Sequence, residues 1–403
     1  MSSNTASLDG AARALQLAAR VEAIEPFRVM EMVKAAGAMT RAGIDVVSMS
    51  VGEPDFTAPD VVARAAMAAI QSGATQYTES LGLPALREAI AAWYAASHGL
   101  DVDPRRIVIT AGASAALLLA CAALVADGDE VLMPDPCYPC NRHFVSAFGG
   151  KPVLVPSGAA ERYQLTAAQV DARWNARTRG VIVASPSNPT GTSMTPQQTR
   201  ELVAAVRARG GFAIVDEIYQ GLSYGDKPVS ALSFGDDVIT VNSFSKYFSM
   251  TGWRLGWLVL PEALVPAVEK LAQNLFICAP TVAQRAALAC FEPEAIAIFE
   301  ERRLEFQRRR DFLVPALREL GFAIPVMPDG AFYVYADIAG LDHPDAADSA
   351  AFGMAVLRDA HVAIVPGGDF GFAAPERHVR FSYATKIERI GEAVGRIGRL
   401  LGR

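Results

Sequence analysis

The sequence predicts an α/β fold: a large domain with a mostly parallel seven-stranded sheet covered by helices, plus a smaller α+β domain. Three observations support this prediction. Seven short apolar runs, rich in Val and Ile and bounded by Gly, Pro, Asp or Ser, lie between residues 106 and 260. Helical patterns separate several of these runs, and after residue 290 the regular alternation gives way to a long charged helical stretch followed by mixed strand and helix patterns. Short bounded runs of this composition are typical of buried strands.

The alternation of strands with helices explains why a parallel sheet is expected. Helical stretches at residues 114–124 and 196–209 follow two of the strands, and such crossovers join parallel strands whose two faces are both covered. Ligands then collect beyond the carboxyl ends of the strands. The predicted strands lie at residues 106–110, 130–133, 151–155, 180–184, 212–215, 238–241 and 255–260.

The ends of the chain have a different pattern. Residues 294–320 read as one long charged helix, which is followed by AFYVYADI, a helix near 349–360, VAIVPGG, HVRFSYA and a closing helix. Residues 26–42 read as a helix stopped by a glycine. We therefore predict an N-terminal arm and helix that join the small domain (residues 1–50), a large α/β domain (51–290) whose strand ends would bind the ligand, and a small C-terminal domain (291–403).

Composition excludes several classes of protein. The 403 residues carry 37 basic and 43 acidic side chains, a formal charge of −6, which argues against binding of a nucleic-acid backbone. No apolar run reaches the ~20 residues that span a bilayer, and the start does not resemble a signal peptide, so a cytoplasmic protein is expected. The five cysteines do not suggest a disulfide scaffold or a metal site. Cys137 and Cys140 form a CxxC pair, which is either a redox pair or two small residues in a tight loop.

Lys246 is the most informative residue. The chain has six lysines against thirty-one arginines, and Lys246 follows a predicted strand in VITVNSFSKYFSMTGWRLGW, among aromatic residues. Partial desolvation lowers the pKa of an amine and makes it available as a nucleophile or base, although a snorkelling lysine at a strand end would look similar. Ser243, Ser245 and Arg254 add two hydroxyls and a cation nearby, which together indicate an anion site, most plausibly for a phosphate.

Three further segments place polar groups at strand ends. Asp216 ends the strand in FAIVDEIY, and Tyr219 follows three residues later. If Asp216 is buried, its carboxylate needs a cationic or hydrogen-bonding partner. The alternative is that Asp216 caps a short helix. SPSNPTG fixes Asn188 between two prolines. In TAGASAALLLA, small residues open a helix whose N–H groups can cradle an anion; these residues are Gly112, Ala113 and Ser114.

Taken in order, these segments resemble the class I/II aminotransferases of fold type I, pyridoxal 5′-phosphate enzymes of the aspartate aminotransferase superfamily. The resemblance runs from VGEPDF through YTESLGLPALREAI to HVRFSYA, and SPSNPTG with SFSKxxxMTGWRLGW is its most specific part. It implies a transaminase that moves an amino group from an L-amino acid to a 2-oxo acid by a ping-pong mechanism, with Lys246 holding the cofactor aldehyde as an internal aldimine. It also implies a homodimer whose active sites are shared.

The resemblance assigns roles to single residues. Asp216 pairs with the pyridine N–H, while Asn188 and Tyr219 hydrogen-bond the ring's phenolic oxygen. Tyr138 stacks on the ring, and Tyr77 reaches the phosphate of the neighbouring subunit. The same resemblance assigns the phosphate pocket to Gly112, Ala113, Ser114, Ser243, Ser245 and Arg254. It assigns the substrate contacts to Arg380, Gly52 and Asn188.

The amino donor and any side activity are left open. Ser114 stands where aspartate-directed members of a related subgroup carry a lysine. A preference for dicarboxylic donors is therefore not implied, and neutral or aromatic amino acids are weighed equally with them. A cysteine-conjugate β-lyase with the same cofactor is the enzyme alternative. A regulator that senses the cofactor is a remote one, because the resemblance begins near Ile24 and leaves no room for a DNA-binding domain.

Overall fold

The structure, a computed structural model, describes residues 17–403 except residues 19, 22–23, 25–27 and 227. In chain order the strands are β1 (Val47–Ser48), β2 (Ile107–Thr110), β3 (Glu130–Asp135), β4 (Lys151–Pro156), β5 (Thr178–Ala184), β6 (Phe212–Asp216), β7 (Ile239–Ser243), β8 (Gly256–Val259), β9 (Tyr333–Asp337), β10 (Val362–Ala363), β11 (Val365–Pro366) and β12 (His378–Ser382). The α-helices are α1 (Arg28–Arg41), α2 (Asp60–Gln71), α3 (Pro84–His98), α4 (Ala113–Leu124), α5 (Pro139–Ser146), α6 (Ala167–Arg173), α7 (Pro196–Arg207), α8 (Val265–Leu275), α9 (Thr281–Ala287), α10 (Pro293–Glu319), α11 (Ser349–Ala360) and α12 (Ile387–Leu400).

The main sheet has seven strands in the order β2-β8-β7-β6-β5-β3-β4. Strands β7, β6, β5, β3 and β4 are parallel to their neighbours in this series, whereas β8 runs antiparallel to both β2 and β7. All seven predicted apolar runs are strands of this sheet, so the predicted fold class is confirmed. Strands β2, β3, β7 and β8 are buried throughout, which explains why they read as continuous apolar runs rather than alternating ones.

Local sequence signals set the limits of the covering helices. The side chain of Thr195 accepts a hydrogen bond from the backbone N of Gln198 at 3.1 Å, and Gln198 Oε1 accepts one from the backbone N of Thr195 at 2.8 Å. This capping box, with Pro196 as the first helical residue, starts α7. Helix α7 ends three residues before Gly210, whose φ of 66° suits glycine. None of the described helices combines the length and the hydropathy that crossing a membrane requires.

The C-terminal part forms two small sheets. Strands β11, β12 and β9 make an antiparallel sheet, and β1 pairs in parallel with β10, so the segment before α2 joins the C-terminal part. The long helix predicted at 294–320 is α10, and the one predicted at 349–360 is α11. The N-terminal helix predicted at 26–42 is α1, and Pro26 lies outside the described residues. The domain boundaries at 50/51 and 290/291 stay predictions.

One hydrophobic core connects the main sheet with the C-terminal part. It contains Phe244 and Trp257 of the main-sheet side, Phe299 and Phe306 of α10, and Phe381 of β12. Helix α10 therefore contributes side chains to the core that joins the main sheet and the C-terminal part.

A buried arginine ties α10 to the loop that follows β1. Arg309 is 3% exposed, and its Nη1 donates to Asp55 Oδ1 at 2.7 Å while its Nε donates to Glu305 Oε1 at 2.9 Å. Its guanidinium lies 5.2 Å from the ring centroid of Phe56 and 5.3 Å from that of Phe306. Because an arginine in this position satisfies two carboxylates at once, it fixes the loop against the helix.

We predict that Arg309→Ala lowers the free energy of unfolding by about 3 kcal/mol, since it leaves two partly buried carboxylates without their cation. Urea denaturation monitored by circular dichroism measures the change. Arg308→Ala is the matched control: Arg308 is exposed and pairs with the same Glu305, so its loss is expected to cost no more than about 0.5 kcal/mol. Equal effects of the two substitutions would contradict a structural role for the buried pair.

Candidate active site

A cavity of about 450 Å³ opens at the carboxyl ends of β5, β6 and β7, where the parallel strands were expected to collect ligands. It lies between the main sheet, α1 and the C-terminal sheet. Most of the predicted site residues line it: Gly52, Ala113, Ser114, Tyr138, Asn188, Asp216, Tyr219, Ser243, Ser245, Lys246, Arg254 and Arg380.

Lys246 follows β7 and extends its amine into this cavity. Its Nζ donates to Gly52 O at 2.6 Å and lies 5.7 Å from the ring centroid of Tyr219. The pKa of Lys246 is lowered to about 8, chiefly by burial; Arg380 and Arg254 contribute to the lowering, while Glu53 and Asp216 oppose it. A sizeable fraction of the amine is therefore neutral near pH 8, as a nucleophile or a base requires.

Asp216 and Glu217 are neighbours at the end of β6 with different surroundings. Asp216 faces the cavity and accepts one hydrogen bond, from the backbone N of Ile218 at 3.0 Å. Burial raises its pKa to about 7, and Lys246 opposes this shift. Glu217 is enclosed by protein: its Oε1 accepts from the backbone N of Ala231 at 2.7 Å and its Oε2 from Ser230 Oγ at 2.9 Å. Burial raises the pKa of Glu217 to about 8.

Hydroxyl groups and a cation gather beside the first turn of α4. Ser245 N donates to Ser243 Oγ at 3.0 Å, and Ser243 Oγ donates to Leu255 O at 3.1 Å. Arg254 is fixed by a hydrogen bond from its Nη1 to Thr251 O at 3.1 Å. Gly112 has a φ of 83°, and a Cβ there would lie 2.6 Å from Arg254 Nη2, so glycine suits the backbone and leaves room for the guanidinium beside the helix start. This cluster can bind a phosphate through a cation, hydroxyls and helix N–H groups.

Arg380 of β12 lies on the opposite side of the cavity. Its Nη1 donates to Asn188 Oδ1 at 2.8 Å and its Nη2 to Ser50 O at 2.7 Å. Its Nε is buried and has no partner among the described residues. The guanidinium packs between Tyr333 and Phe370, with ring centroids at 4.5 and 4.9 Å. A fixed guanidinium with an unused donor suits a carboxylate ligand.

Sequence reasoning missed several residues of this wall. Tyr333 Oη is 2.9 Å from Tyr219 Oη. A Cβ on Gly52 would also lie 2.9 Å from Tyr333 Oη. Tyr333 lies in AFYVYADI, where the only available signal was that of a strand. The other missed residues that line the cavity and are used below are Val29, Met30 and Val33 of α1, Val51, Asp369 and Phe370.

Two predicted residues lie apart from the cavity lining. Gly112 does not line the cavity, but it lies next to the guanidinium of Arg254, which does. Tyr77 is 79% exposed and does not line the cavity of its own chain. The CxxC pair is also near the site, with Cys137 in the loop before α5 and Cys140 inside it; both thiols are free. Burial raises the pKa of Cys137 to about 12, which disfavours the reactive thiolate.

The residues present fit pyridoxal 5′-phosphate, the cofactor that the sequence resemblance implies. The cavity offers a desolvated amine for its aldehyde, a buried carboxylate for its ring nitrogen and a cationic cradle for its phosphate. Among the described residues, no group of three or more His, Cys, Asp or Glu side chains could hold a metal ion.

Comparison with known proteins gives a consistent result. The family model "Aminotransferase class I and II" matches residues 44–397. A valine–pyruvate aminotransferase of Mycobacterium tuberculosis is 42% identical over 380 residues, 94% of this chain and 97% of the relative.

Solved structures agree with the sequence comparison. The crystal structure of an aminotransferase from Mycobacterium tuberculosis superposes with a TM-score of 0.92 at 41% identity, covering 96% of this chain and 99% of the other. An aspartate aminotransferase of Thermus thermophilus superposes with a TM-score of 0.89 at 34% identity, covering 96% of this chain and all of the other (100%).

We predict that Glu217→Gln reduces the pH dependence of the cofactor-free protein's stability. The folded pKa of Glu217 is about 8 against an ordinary value of 4.5, so the folded protein holds a proton that the unfolded chain releases. The resulting stability is present below pH 4.5 and is lost as the pH rises through about 8. Between pH 5 and pH 8 the variant is expected to lose about 3 kcal/mol less stability than the unsubstituted protein.

Urea denaturation at a series of pH values tests this prediction. Glu201→Gln, on the exposed face of α7, is the control and is expected to leave the pH profile unchanged. An unchanged slope in Glu217→Gln would show that Glu217 is ionised in the folded state.

Proposed function

We propose a substrate class for this chain, which belongs to the class I and II aminotransferase family. As a member of that family it is a pyridoxal 5′-phosphate-dependent transaminase, whose substrates are amino acids and 2-oxo acids. We propose that its preferred donor is an L-amino acid with a small or medium-sized neutral aliphatic side chain, and that its acceptor is a short 2-oxo acid such as pyruvate.

The single observation that supports this substrate class is the apolar wall beside Arg380. Val29, Met30, Val33, Val51 and Phe370 line the cavity there. The basic residues of the described lining are Lys246, Arg254 and Arg380, and each already has a proposed role. No further lining cation of this chain is thus available for a second substrate carboxylate, and Ser114 stands where aspartate-directed members of a related subgroup carry a lysine. The similar valine–pyruvate aminotransferase is consistent with this proposal.

Pyridoxal phosphate, when bound, supplies an electron sink that makes the α-hydrogen of an amino acid removable as a proton. We propose that Lys246 accepts this proton at its Nζ and returns it on the cofactor side. Its lowered pKa of about 8 supports the assignment because the amine can both take and give a proton near neutral pH.

The other cofactor contacts follow from the positions of the lining residues. Asp216 would hold the ring nitrogen in its protonated form, which offsets the burial of the carboxylate. Asn188 and Tyr219 would donate to the phenolic oxygen, and Tyr138 would stack on the ring. The cluster around Arg254 would bind the phosphate, through Gly112, Ala113, Ser114, Ser243 and Ser245.

Arg380 would bind the α-carboxylate of both substrates. Its buried Nε has no described partner, and its position between Tyr333 and Phe370 fixes its plane. Gly52, which lines the cavity, would lie beside the bound substrate. A side chain at this position would come within 2.9 Å of Tyr333 Oη, which explains the glycine. Donor and acceptor would use the same arginine in turn, and because the bound cofactor would keep the amino group between the two half-reactions, the kinetics would be ping-pong. The β-lyase alternative is not favoured, because the relatives are named as aminotransferases.

We further propose that the enzyme is a homodimer with shared active sites, acting in the cytoplasm. Tyr77 is highly exposed, and its segment contacts the first residue of α9: Thr281 Oγ1 donates to Gln76 O at 2.8 Å. Helix α2 packs against α9. Exposed apolar side chains lie on α2, in the Tyr77 segment, at the end of α8 and directly after it; we call them the Tyr77 patch, which comprises Met67, Ile70, Tyr77, Leu275, Phe276 and Ile277. An exposed apolar patch of this kind supports a subunit interface.

Lys246→Ala is expected to reduce turnover by roughly 10³-fold or more, because it removes both the covalent anchor and the proton carrier. Steady-state transamination and the visible absorbance of the bound cofactor measure the loss. Lys386→Ala removes an exposed lysine elsewhere and is expected to leave both unchanged. Residual turnover near the normal rate in Lys246→Ala would exclude this role.

A donor screen tests the substrate class. With pyruvate as acceptor, we expect kcat/KM for L-valine to exceed that for L-aspartate by about tenfold or more, because the apolar wall offers a second carboxylate no cation. Amino-acid analysis of the products measures the transfer. A preference for L-aspartate and 2-oxoglutarate would refute the neutral-donor proposal while leaving the aminotransferase assignment intact.

Leu275→Glu is expected to convert the dimer into monomers at micromolar concentration, since it places a charge in the Tyr77 patch. Sedimentation velocity measures the change. Leu304→Glu, at an exposed position of α10, is the matched control and should remain dimeric. If both variants sediment as dimers, the Tyr77 patch is not the interface.

A further inference from the structure

Asp369 is a buried acidic residue in the wall of the active-site cavity. It is 5% exposed and ends the short turn Gly367–Asp369 between β11 and β12. Phe370, which follows it, packs against the guanidinium of Arg380 at 4.9 Å. Asp369 therefore lies one residue from the group that flanks the proposed α-carboxylate site.

The carboxylate is held by α1 across 340 residues of sequence. The backbone N of Val29, in the first turn of α1, donates to Asp369 Oδ2 at 2.7 Å. The backbone oxygen of Asp369 accepts from Arg142 Nη2 at 2.9 Å. A negative charge at a helix N-terminus is favourable because the helix dipole and the free N–H groups face it. Both the position and the charge of Asp369 are thus supported by its surroundings.

The same turn of α1 supplies part of the apolar wall. Val29, Met30 and Val33 line the cavity together with Asp369. Asp369 also acts on the cavity electrostatically: burial lowers the pKa of Arg380, and Asp369 is among the groups that oppose this shift. The carboxylate of Asp369 therefore lies beside the space that the side chain of a substrate bound to Arg380 would occupy.

We propose that Asp369 is a specificity-determining residue that disfavours acidic side chains. This inference rests on the proposed function, in which Arg380 binds the α-carboxylate and the side chain meets the α1 wall. A second carboxylate would approach a like charge in a space that is partly shielded from water, where repulsion is strong. A neutral aliphatic side chain meets no such repulsion, so Asp369 contributes discrimination by excluding the wrong substrate.

The test compares Asp369→Asn with the unsubstituted holoenzyme. Asparagine has nearly the same shape and keeps an oxygen that can accept from Val29 N, so the substitution removes the charge and preserves the contact with α1. The measured quantity is the ratio of kcat/KM for L-glutamate or L-aspartate to kcat/KM for L-valine, with pyruvate as acceptor. We expect this ratio to rise about tenfold in the variant, through KM of the acidic donor rather than kcat.

A binding measurement without turnover accompanies the kinetics. Succinate and butyrate are unreactive carboxylates of similar length, and titration calorimetry on the holoenzyme gives the affinity of each. Asp369→Asn is expected to strengthen succinate relative to butyrate by about tenfold. Asp348→Asn is the matched control: Asp348 caps the start of α11, where its Oδ1 accepts from Ala350 N at 2.8 Å, and it does not line the cavity. Its ratios are expected to stay unchanged.

The outcomes separate this inference from the proposed function. If neutral donors react and the ratio for Asp369→Asn stays within about twofold of the original, Asp369 does not set specificity, and this inference fails alone. If the unsubstituted enzyme prefers acidic donors, the neutral-donor proposal fails and the exclusion role fails with it. If the ratio rises for Asp369→Asn but equally for Asp348→Asn, the effect is a general loosening and the inference is overturned.

Discussion

The burial of an amine and a carboxylate in one cavity is the constraint on which the site depends. Burial lowers the pKa of Lys246 to about 8 and raises that of Asp216 to about 7, so each group is held close to losing its charge near neutral pH. Such an arrangement costs stability in an empty protein, and a ligand that pairs with the carboxylate and reacts with the amine offsets this cost. A pyridine nitrogen that takes up a proton beside Asp216, and an aldehyde that consumes the amine of Lys246, would satisfy both groups at once.

The fold places these groups through long-range contacts. Strands β6 and β7 deliver Asp216 and Lys246 to the same edge of the sheet because parallel strands end together. The opposite wall comes from both ends of the chain: β12 carries Arg380, and the loop after β1 carries Gly52. Arg309 fixes that loop to α10, so the position of the substrate site depends on the packing between the main sheet and the C-terminal part.

The sequence predicted what is encoded locally and missed what depends on distant contacts. The seven strands were predictable because a sheet buried on both faces requires continuous Val and Ile runs. Lys246, Asp216 and Asn188 were identified because they occur in motifs at strand ends. Tyr333 was missed because its register opposite Ser382 depends on how β9 pairs with β12. Asp369 was missed because its partner, Val29, is 340 residues away. Tyr77 shows the converse case: the resemblance singles it out, yet it is remote from the cavity of its own chain.

Asp216 and Glu217 show why one of two adjacent carboxylates suits a ligand. Both are buried, and burial raises the pKa of both. Glu217 receives its hydrogen bonds from Ser230 and Ala231, so protein groups already fill its bonding capacity and it fixes the loop that follows β6. Asp216 receives one, from Ile218, in the part of the chain described, and the rest of its carboxylate faces the cavity. Successive residues at a strand end face opposite sides of the sheet. Asp216 and Glu217 are adjacent in sequence, and for this reason one carboxylate faces the ligand cavity while the other stabilises the protein.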